Sequence, residues 1–176
     1  MVKMSINENW FHLLHPKVIH LVTTLDSRGR INAAPFTWIT PISDDPPIIL
    51  MAAWYESDTF KNIEETGEFV LNVVPKELKQ KILICAKKFP RGVNELEKAG
   101  LTWSKSKIVK PPRVNECIAW VECSAKEVMK KEDEYSFIVA EVKCVDVKKD
   151  CFNKNFLPKV DILLHLGGGN YSSIRV

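Results

Sequence analysis

The stretch Ile31-Asn32-Ala33-Ala34-Pro35-Phe36-Thr37-Trp38-Ile39-Thr40 has β-branched and aromatic residues toward its ends and two alanines and a proline in its middle. The ends predict a strand. The middle conflicts with one. Proline has no N–H to give to a ladder, and small side chains pack poorly on a pleated surface. The strand is therefore expected to be an edge, to be bulged, or to open its backbone toward something else. Small residues let a flat ligand approach the main chain, and Asn32 can both donate and accept. A bulged edge strand with no ligand satisfies the same residues.

Outward from this stretch, strand signals continue. Residues 17–25 (KVIHLVTTL) are β-branched and run into Asp26-Ser27-Arg28-Gly29, a turn. They predict a hairpin with residues 31–40. A third strand is expected over 48–53, entered through Pro46-Pro47. Ser57-Asp58 reads as a helix N-cap, 59–66 as two turns of helix, and Gly67 as the stop. Residues 69–74 (FVLNVV) predict a fourth strand. Pro75 suits a first helical position, and Leu78, Ile82, Cys85 and Phe89 fall on one helical face. Asn94 to Ala99 is a short helix ended by Gly100.

The second half reads as mostly β. Cys117, Ala119, Val121, Cys123 and Ala125 alternate with Glu116, Glu122, Ser124 and Lys126, which predicts a half-buried strand with the polar set outward. Ile138, Ala140, Val142 and Cys144 give its partner an inward face, with residues 130–134 as the turn. Residues 161–166 form a late strand before Gly167-Gly168-Gly169 and a short tail. The fold class expected is mainly β: a small antiparallel barrel with helical insertions, one domain over residues 1–176. A doubly wound parallel sheet would need helices between most strands, and the second half lacks them.

Composition excludes several classes. The 176 residues are 45% apolar and 27% charged, with a net charge of +3. That is ordinary globular composition, without the basic excess of a nucleic-acid protein. No apolar stretch reaches membrane-span length. Residues 1–10 carry Glu8 and no apolar signal core. The cysteines, 85, 117, 123, 144 and 151, are odd in number and form no CxxC. Free thiols in a reducing, cytoplasmic setting are expected, with Cys85 inert on its helical stripe.

Familiar catalytic patterns are missing from the sequence. There is no GxSxG, HExxH, EF-hand loop or GxxxxGK[ST]. His12 and His15 lack further metal-ligand spacing, so they are expected to pack or titrate at the surface, and no metal is expected. Only seven residues follow Gly169, too few for a Rossmann helix. One phosphate device remains. Trp54-Tyr55-Glu56-Ser57-Asp58-Thr59 leads from a strand into a helix, whose free N–H groups carry about half a positive charge. Ser57 and Thr59 add hydroxyls, and Lys61 adds a charge one turn on. An ordinary capped helix uses the same residues.

Taken in order, His15-Pro16, Leu21-Val22-Thr23-Thr24, Gly29, Asn32 to Trp38, Asp45-Pro46-Pro47, Asp58-Thr59, Asn62-Ile63, Thr66 to Val70 and Asn72 resemble the flavin reductase-like family of FMN-binding split-barrel proteins. The resemblance covers most of residues 15–75 and continues weakly to the C-terminus. It implies a six-stranded Greek-key split barrel and a homodimer with FMN near the subunit boundary. It implies that Asn32, Ala33, Ala34, Pro35, Thr37 and Trp38 face the isoalloxazine. The phosphate-side loop would run from Ala53 and Trp54 through Ser57, Asp58 and Thr59 to Asn62, with Lys61 and Arg91 as charge partners. His165 and Tyr171 match the family's final His–Gly–Tyr segment near the flavin or nicotinamide, which makes His165 the candidate catalytic residue.

The function implied is electron transfer from NADH or NADPH through FMN to free flavin, ferric iron or a protein. A flavoredoxin-like carrier without a nicotinamide site, a non-redox barrel that binds a ligand, and a pyridoxamine-phosphate oxidase relative are the alternatives. The sequence does not choose between NADH and NADPH or identify the acceptor.

Overall fold

The computed structural model describes residues 9–131 and 134–174. In chain order the strands and helices are β1 (Lys17–Val18), β2 (His20–Leu25), β3 (Ile31–Phe36), β4 (Ile39–Asp44), β5 (Pro47–Trp54), α1 (Asp58–Thr66), β6 (Glu68–Val73), α2 (Lys79–Cys85) and α3 (Glu95–Lys98). There follow β7 (Trp103–Ser104), β8 (Arg113–Val114), β9 (Ala119–Met129), β10 (Tyr135–Val147), β11 (Ile162–Gly167) and β12 (Asn170–Ile174). Single 3-10 turns at Trp10–Leu14, Lys76–Leu78 and Lys149–Cys151 complete the set.

The main sheet is antiparallel, with strand order β3-β2-β6-β9-β10-β5-β4. Its two edges, β3 and β4, are joined by Thr37 and Trp38 alone. Three Cα steps reach at most about 11 Å. A flat sheet of this order would separate the edges by six spacings of about 4.8 Å, or about 29 Å. The sheet must therefore curl until its edges approach. They do not pair: the Trp38 carbonyl accepts from the Ala52 N–H on β5 at 2.9 Å, not from β3. This is a split barrel with helical insertions, as expected. The strand count differs from six because residues 39–44 form a separate hairpin partner for β5 rather than the end of β3.

Pro35 fits because β3 is an edge. The Ala33 N–H donates to the Glu95 carboxylate at 2.8 Å, so it points away from β2. Pro35, two residues on, has the same parity, and its missing N–H falls on the unpaired side.

Both faces of β2 are buried, which explains its unbroken apolar run. Val22 joins Met51, Phe60, Ile63, Phe69, Ile138 and Ala140 between the sheet and α1. Leu21 joins Ala33, Ile82, Cys85, Leu96, Val114 and Leu163 beneath α2 and α3. Ser57 caps α1 by accepting from the Phe60 N–H at 3.2 Å, and Gly67 ends it at φ 71°. Pro75 precedes the 3-10 turn, and Phe89 lies beyond α2, so the expected helical face stops at Cys85. Residues 132 and 133, within the expected turn, and residues 1–8 lie outside the described residues. The tail forms β12, which pairs with β11, as β1 also does, in a separate three-stranded sheet.

Glu122 reverses its expected orientation toward water: it is fully buried. Its carboxylate accepts from the backbone N–H groups of Lys107, Ile108 and Val109 at 2.7–3.1 Å and from Arg113 Nε at 2.7 Å. Around Glu122 the outer face of β9 is covered by the segment 105–114, while Lys126, farther along the strand, stays exposed as expected.

Candidate functional site

Residues of β3 alternate between two surroundings. Ala33 faces the core under α2 and α3. Asn32 faces α1, where its amide donates to Thr59 Oγ1 at 2.9 Å and Thr24 Oγ1 at 3.2 Å. Ala34 continues on Asn32's side and, with Pro35 and Phe36, lines a cavity of about 560 Å3. Its other walls are the N-terminus of α1, at Ser57, Asp58 and Thr59, and the segment after α2, at Lys87, Lys88 and Arg91. The edge strand therefore turns a small side chain and unpaired main chain toward a space closed by helix amides and basic side chains.

Charge in this cavity is partly committed. Arg91 donates to Asp58 at 3.1 Å and Glu65 at 2.9 Å. Glu95 also lines the wall; burial pushes its carboxyl above the usual range despite the hydrogen bond from Ala33. Lys87 and Lys88 are exposed and make no ion pair among the described residues. The hydroxyl of Ser57 accepts in its capping bond and keeps its proton to donate.

A second cavity of about 270 Å3 shares Pro35, Phe36 and Ser57 with the first and adds Thr37, Trp38, Trp54 and Tyr135. The Trp38 and Tyr135 rings lie 4.7 Å apart and tilted, and Trp54 meets Tyr135 edge-on at 5.7 Å. A third, of about 130 Å3, adds His165 and Tyr171 beside Pro35 and Thr37. All three spaces meet at Pro35.

The structure thus brings together Asn32, Ala34, Pro35, Thr37, Trp38, Trp54, Ser57, Asp58, Thr59, Arg91, His165 and Tyr171 around connected spaces. It does not bring Ala33, Ala53, Lys61 or Asn62 to them. Ala33 and Ala53 are fully buried in the core. Asn62 is buried, donating to Thr24 Oγ1 at 3.0 Å, with its Oδ1 unpartnered. Those two alanines set the strands' packing, and Asn62 acts on Asn32 through their shared Thr24 contact.

Sequence reading missed Lys87, Lys88, Glu95 and Tyr135. The run Lys87-Lys88-Phe89-Pro90-Arg91 is a basic signal that could have been read. Glu95 and Tyr135 carry no local signal, because only the fold brings them here.

His165 Nε2 donates to the Gly168 carbonyl at 2.8 Å, which leaves Nδ1 an acceptor, buried and unpartnered. Its ring lies 5.2 Å from His15 and 5.5 Å from Tyr171. His12 packs against His15, 5.6 Å between rings, and Gly167 has no Cβ to collide with the His12 ring. All five thiols are free. Burial pushes Cys85 and Cys123 to about 12 and raises Cys117 as well, so these three stay protonated and unreactive. No helix among the described residues is long and apolar enough to cross a membrane.

Comparison with known proteins points one way. The family model described as "Flavin reductase like domain" matches residues 12–173. An uncharacterised protein of Aquifex aeolicus is 34% identical over 166 residues, covering 90% of this chain and 84% of its own length. The solved structure of 2-nitrobenzoate 2-nitroreductase from Pseudomonas fluorescens is 26% identical, with a TM-score of 0.85 over 100% of this chain and 93% of that one. Flavoredoxin of Desulfovibrio vulgaris (Miyazaki F), at 19% identity, shares the fold, with a TM-score of 0.85 over 99% of this chain and 93% of its own.

Proposed function

This chain belongs to the flavin reductase-like family, and from that premise we propose that it is an FMN-dependent oxidoreductase taking electrons from NADH or NADPH. The observation that carries the proposal is the edge strand β3, which turns Ala34, Pro35 and its unpaired main chain toward a cavity closed by the α1 N-terminus and three basic side chains.

The residues fit the group. Ala34 and Pro35 leave room for a flat ring against the strand, and the carbonyls on the unpaired side of β3 can accept from its edge. Amides of the first turn of α1, the Ser57 hydroxyl, Lys87 and Lys88 hold a phosphate. Trp38 and Trp54 wall the open side and shed water from it. FMN, when bound, supplies the hydride-accepting chemistry of the reaction. His165 and Tyr171 line the small cavity beside Pro35 and Thr37, at the edge of the space that a second reactant would occupy.

Titration with FMN and with riboflavin tests this reading. Purified protein is expected to be yellow or to shift the flavin bands on adding FMN. Lys87→Gln together with Lys88→Gln is expected to weaken FMN about tenfold, the scale of one charge-assisted hydrogen bond, and to spare riboflavin, which has no phosphate. A colourless protein with no spectral change removes the assignment; equal losses for both ligands remove the phosphate role. Mixing loaded protein with NADH or NADPH then separates a reductase from a carrier that takes electrons from elsewhere.

The assembly that belongs to this reading is a homodimer. Trp10, Leu13 and Leu14 are exposed beside Trp38 and offer apolar surface for a second copy. Sedimentation at the mass of one chain would exclude it. The five free thiols suit a reducing compartment, and the reading places the protein in the cytoplasm, which fractionation of cells would check.

A further inference from the structure

Glu95 puts a buried carboxyl on the wall of the first cavity. It opens α3, is 7% exposed, and has no ion-pair partner among the described residues. Its place is fixed. Oε2 accepts from the Ala33 N–H at 2.8 Å, on the unpaired edge of β3, and Leu96 beside it is fully buried. No side chain of the described residues bonds Oε1. A carboxylate held in this way cannot swing out to water when an anion arrives.

The charges around it cancel before a ligand binds. Glu56 and Asp58 face the same space from the start of α1, and Lys87, Lys88 and Arg91 face it from the segment after α2. With Glu95 that is three acids against three bases. The other elements packed here add no free charge to the space. β3 brings no ionisable side chain. On α2, Lys81 is tied to the Gly100 carbonyl, Lys79 lies over Tyr171, and the protonated Cys85 thiol donates to the Glu95 carbonyl at 3.7 Å. On α3, Glu97 accepts from the Asn94 amide. Burial, joined by the Asp58 charge, holds the Glu95 carboxyl above the usual range against hydrogen bonds from Ala33 and its own N–H.

A phosphate monoester brings about two negative charges into this neutral lining. Glu56 is exposed and Asp58 is paired with Arg91, so both are screened. Glu95 has neither water nor a cation, and a like charge in a desolvated space favours its neutral form. With a proton on Oε1, Oε2 keeps its bond to Ala33 and the carboxyl gains an O–H to donate.

We propose that Glu95 takes up a proton from solvent as FMN binds, and that the neutral carboxyl donates a hydrogen bond from Oε1 to the ligand. The inference rests on the flavin reading. Glu95 is a positioning residue in it: the charge of the phosphate is offset by a proton as well as by Lys87 and Lys88.

Titration calorimetry tests this on the full chain freed of flavin. FMN is added at pH values from about 5.5 to about 8, in buffers of two ionisation enthalpies, which counts the protons exchanged. The expected result is net uptake approaching one proton, with an FMN affinity that falls by up to about tenfold per pH unit where uptake is largest. The phosphate alone gives the opposite sign, because its second ionisation lies at about pH 6 and cationic partners favour the dianion. Glu95→Gln keeps an oxygen for Ala33 and puts an N–H where the O–H would be. It is expected to bind FMN at least as tightly as wild type at about pH 8 and to show no uptake. A role in folding alone would lower its melting temperature without moving the proton count. Glu56→Gln is expected to keep the wild-type uptake. Proton release by wild type, or no exchange, overturns the proposal; so does uptake that survives in Glu95→Gln or vanishes in Glu56→Gln. If Glu95→Gln does not fold, uptake by both wild type and Glu56→Gln supports the proposal, and its absence from either overturns it. FMN that binds without uptake leaves the flavin reading standing and removes only the proton. FMN that fails to bind at every pH removes the flavin reading and this one with it.

Discussion

Glu122→Ala is expected to lower stability by about 3–5 kcal/mol, the usual cost of stripping one partner from a buried ion pair. The reason is the number of groups that one carboxylate serves. Three consecutive N–H groups, from Lys107, Ile108 and Val109, and the Arg113 guanidinium all donate to it. Arg113 also pairs with Asp146, which pairs in turn with Lys107. Alanine would leave Arg113 buried and half-paired, and each orphaned N–H would cost about 1–3 kcal/mol unless water reached it. The segment 105–114 would lift, exposing Val109 and Val114. At about 2–4 °C per kcal/mol for a chain of this size, the melting temperature should fall by about 6–20 °C.

The effect should also depend on pH in a definite sense. Burial raises the Glu122 carboxyl, but the three backbone bonds and Arg113 outweigh it, so the folded protein holds it below the usual carboxylate range. A group depressed in the folded state contributes stability that is full above its unfolded value and is lost as pH falls through its folded value. The gap between wild type and Glu122→Ala should be widest near neutrality and should shrink in acid. Denaturant melts of both proteins across this range check it. A loss under about 1 kcal/mol at neutral pH would mean that the segment is held by its apolar contacts instead.

Glu122 also shows what the sequence could not express. Its alternation with Cys123 was readable, and both residues do lie on opposite faces of β9. What local pattern lacks is the second cover. The face opposite the core is shielded by a loop brought back from residues 105–114, so a polar position became a buried one. By contrast, the hairpin of β2 and β3, the capped α1 and the stop at Gly67 were legible because each rests on neighbours in the chain. The candidate site divides in the same way. Asn32 to Trp38 and Ser57 to Thr59 stand out locally, through a proline in a strand and a cap after one. Glu95, Tyr135 and the convergence of three cavities on Pro35 depend on the curl of the sheet, which only the strand order reveals.

The alternation within β3 gives the sharpest test of where the cofactor lies. Ala33 and Ala34 are chemically identical neighbours, yet Ala33 is fully buried among Leu21, Ile82 and Leu96, while Ala34 is partly exposed in the cavity wall. Phenylalanine at each should therefore fail differently. Ala33→Phe forces a ring into a filled core, where even smaller insertions cost about 1–3 kcal/mol, and should melt far below wild type or not fold. Ala34→Phe places its ring in open space and should melt within about 2 °C of wild type, as a substitution outside the core. That ring would occupy the room needed for a planar ligand against the strand, and FMN affinity should fall by about 100-fold or more. Riboflavin should fall equally, because the clash is with the ring system, unlike the loss expected at Lys87 and Lys88. The two variants are read by thermal melting and flavin titration side by side. If Ala34→Phe folds and still binds FMN as wild type does, the ring does not lie against this strand.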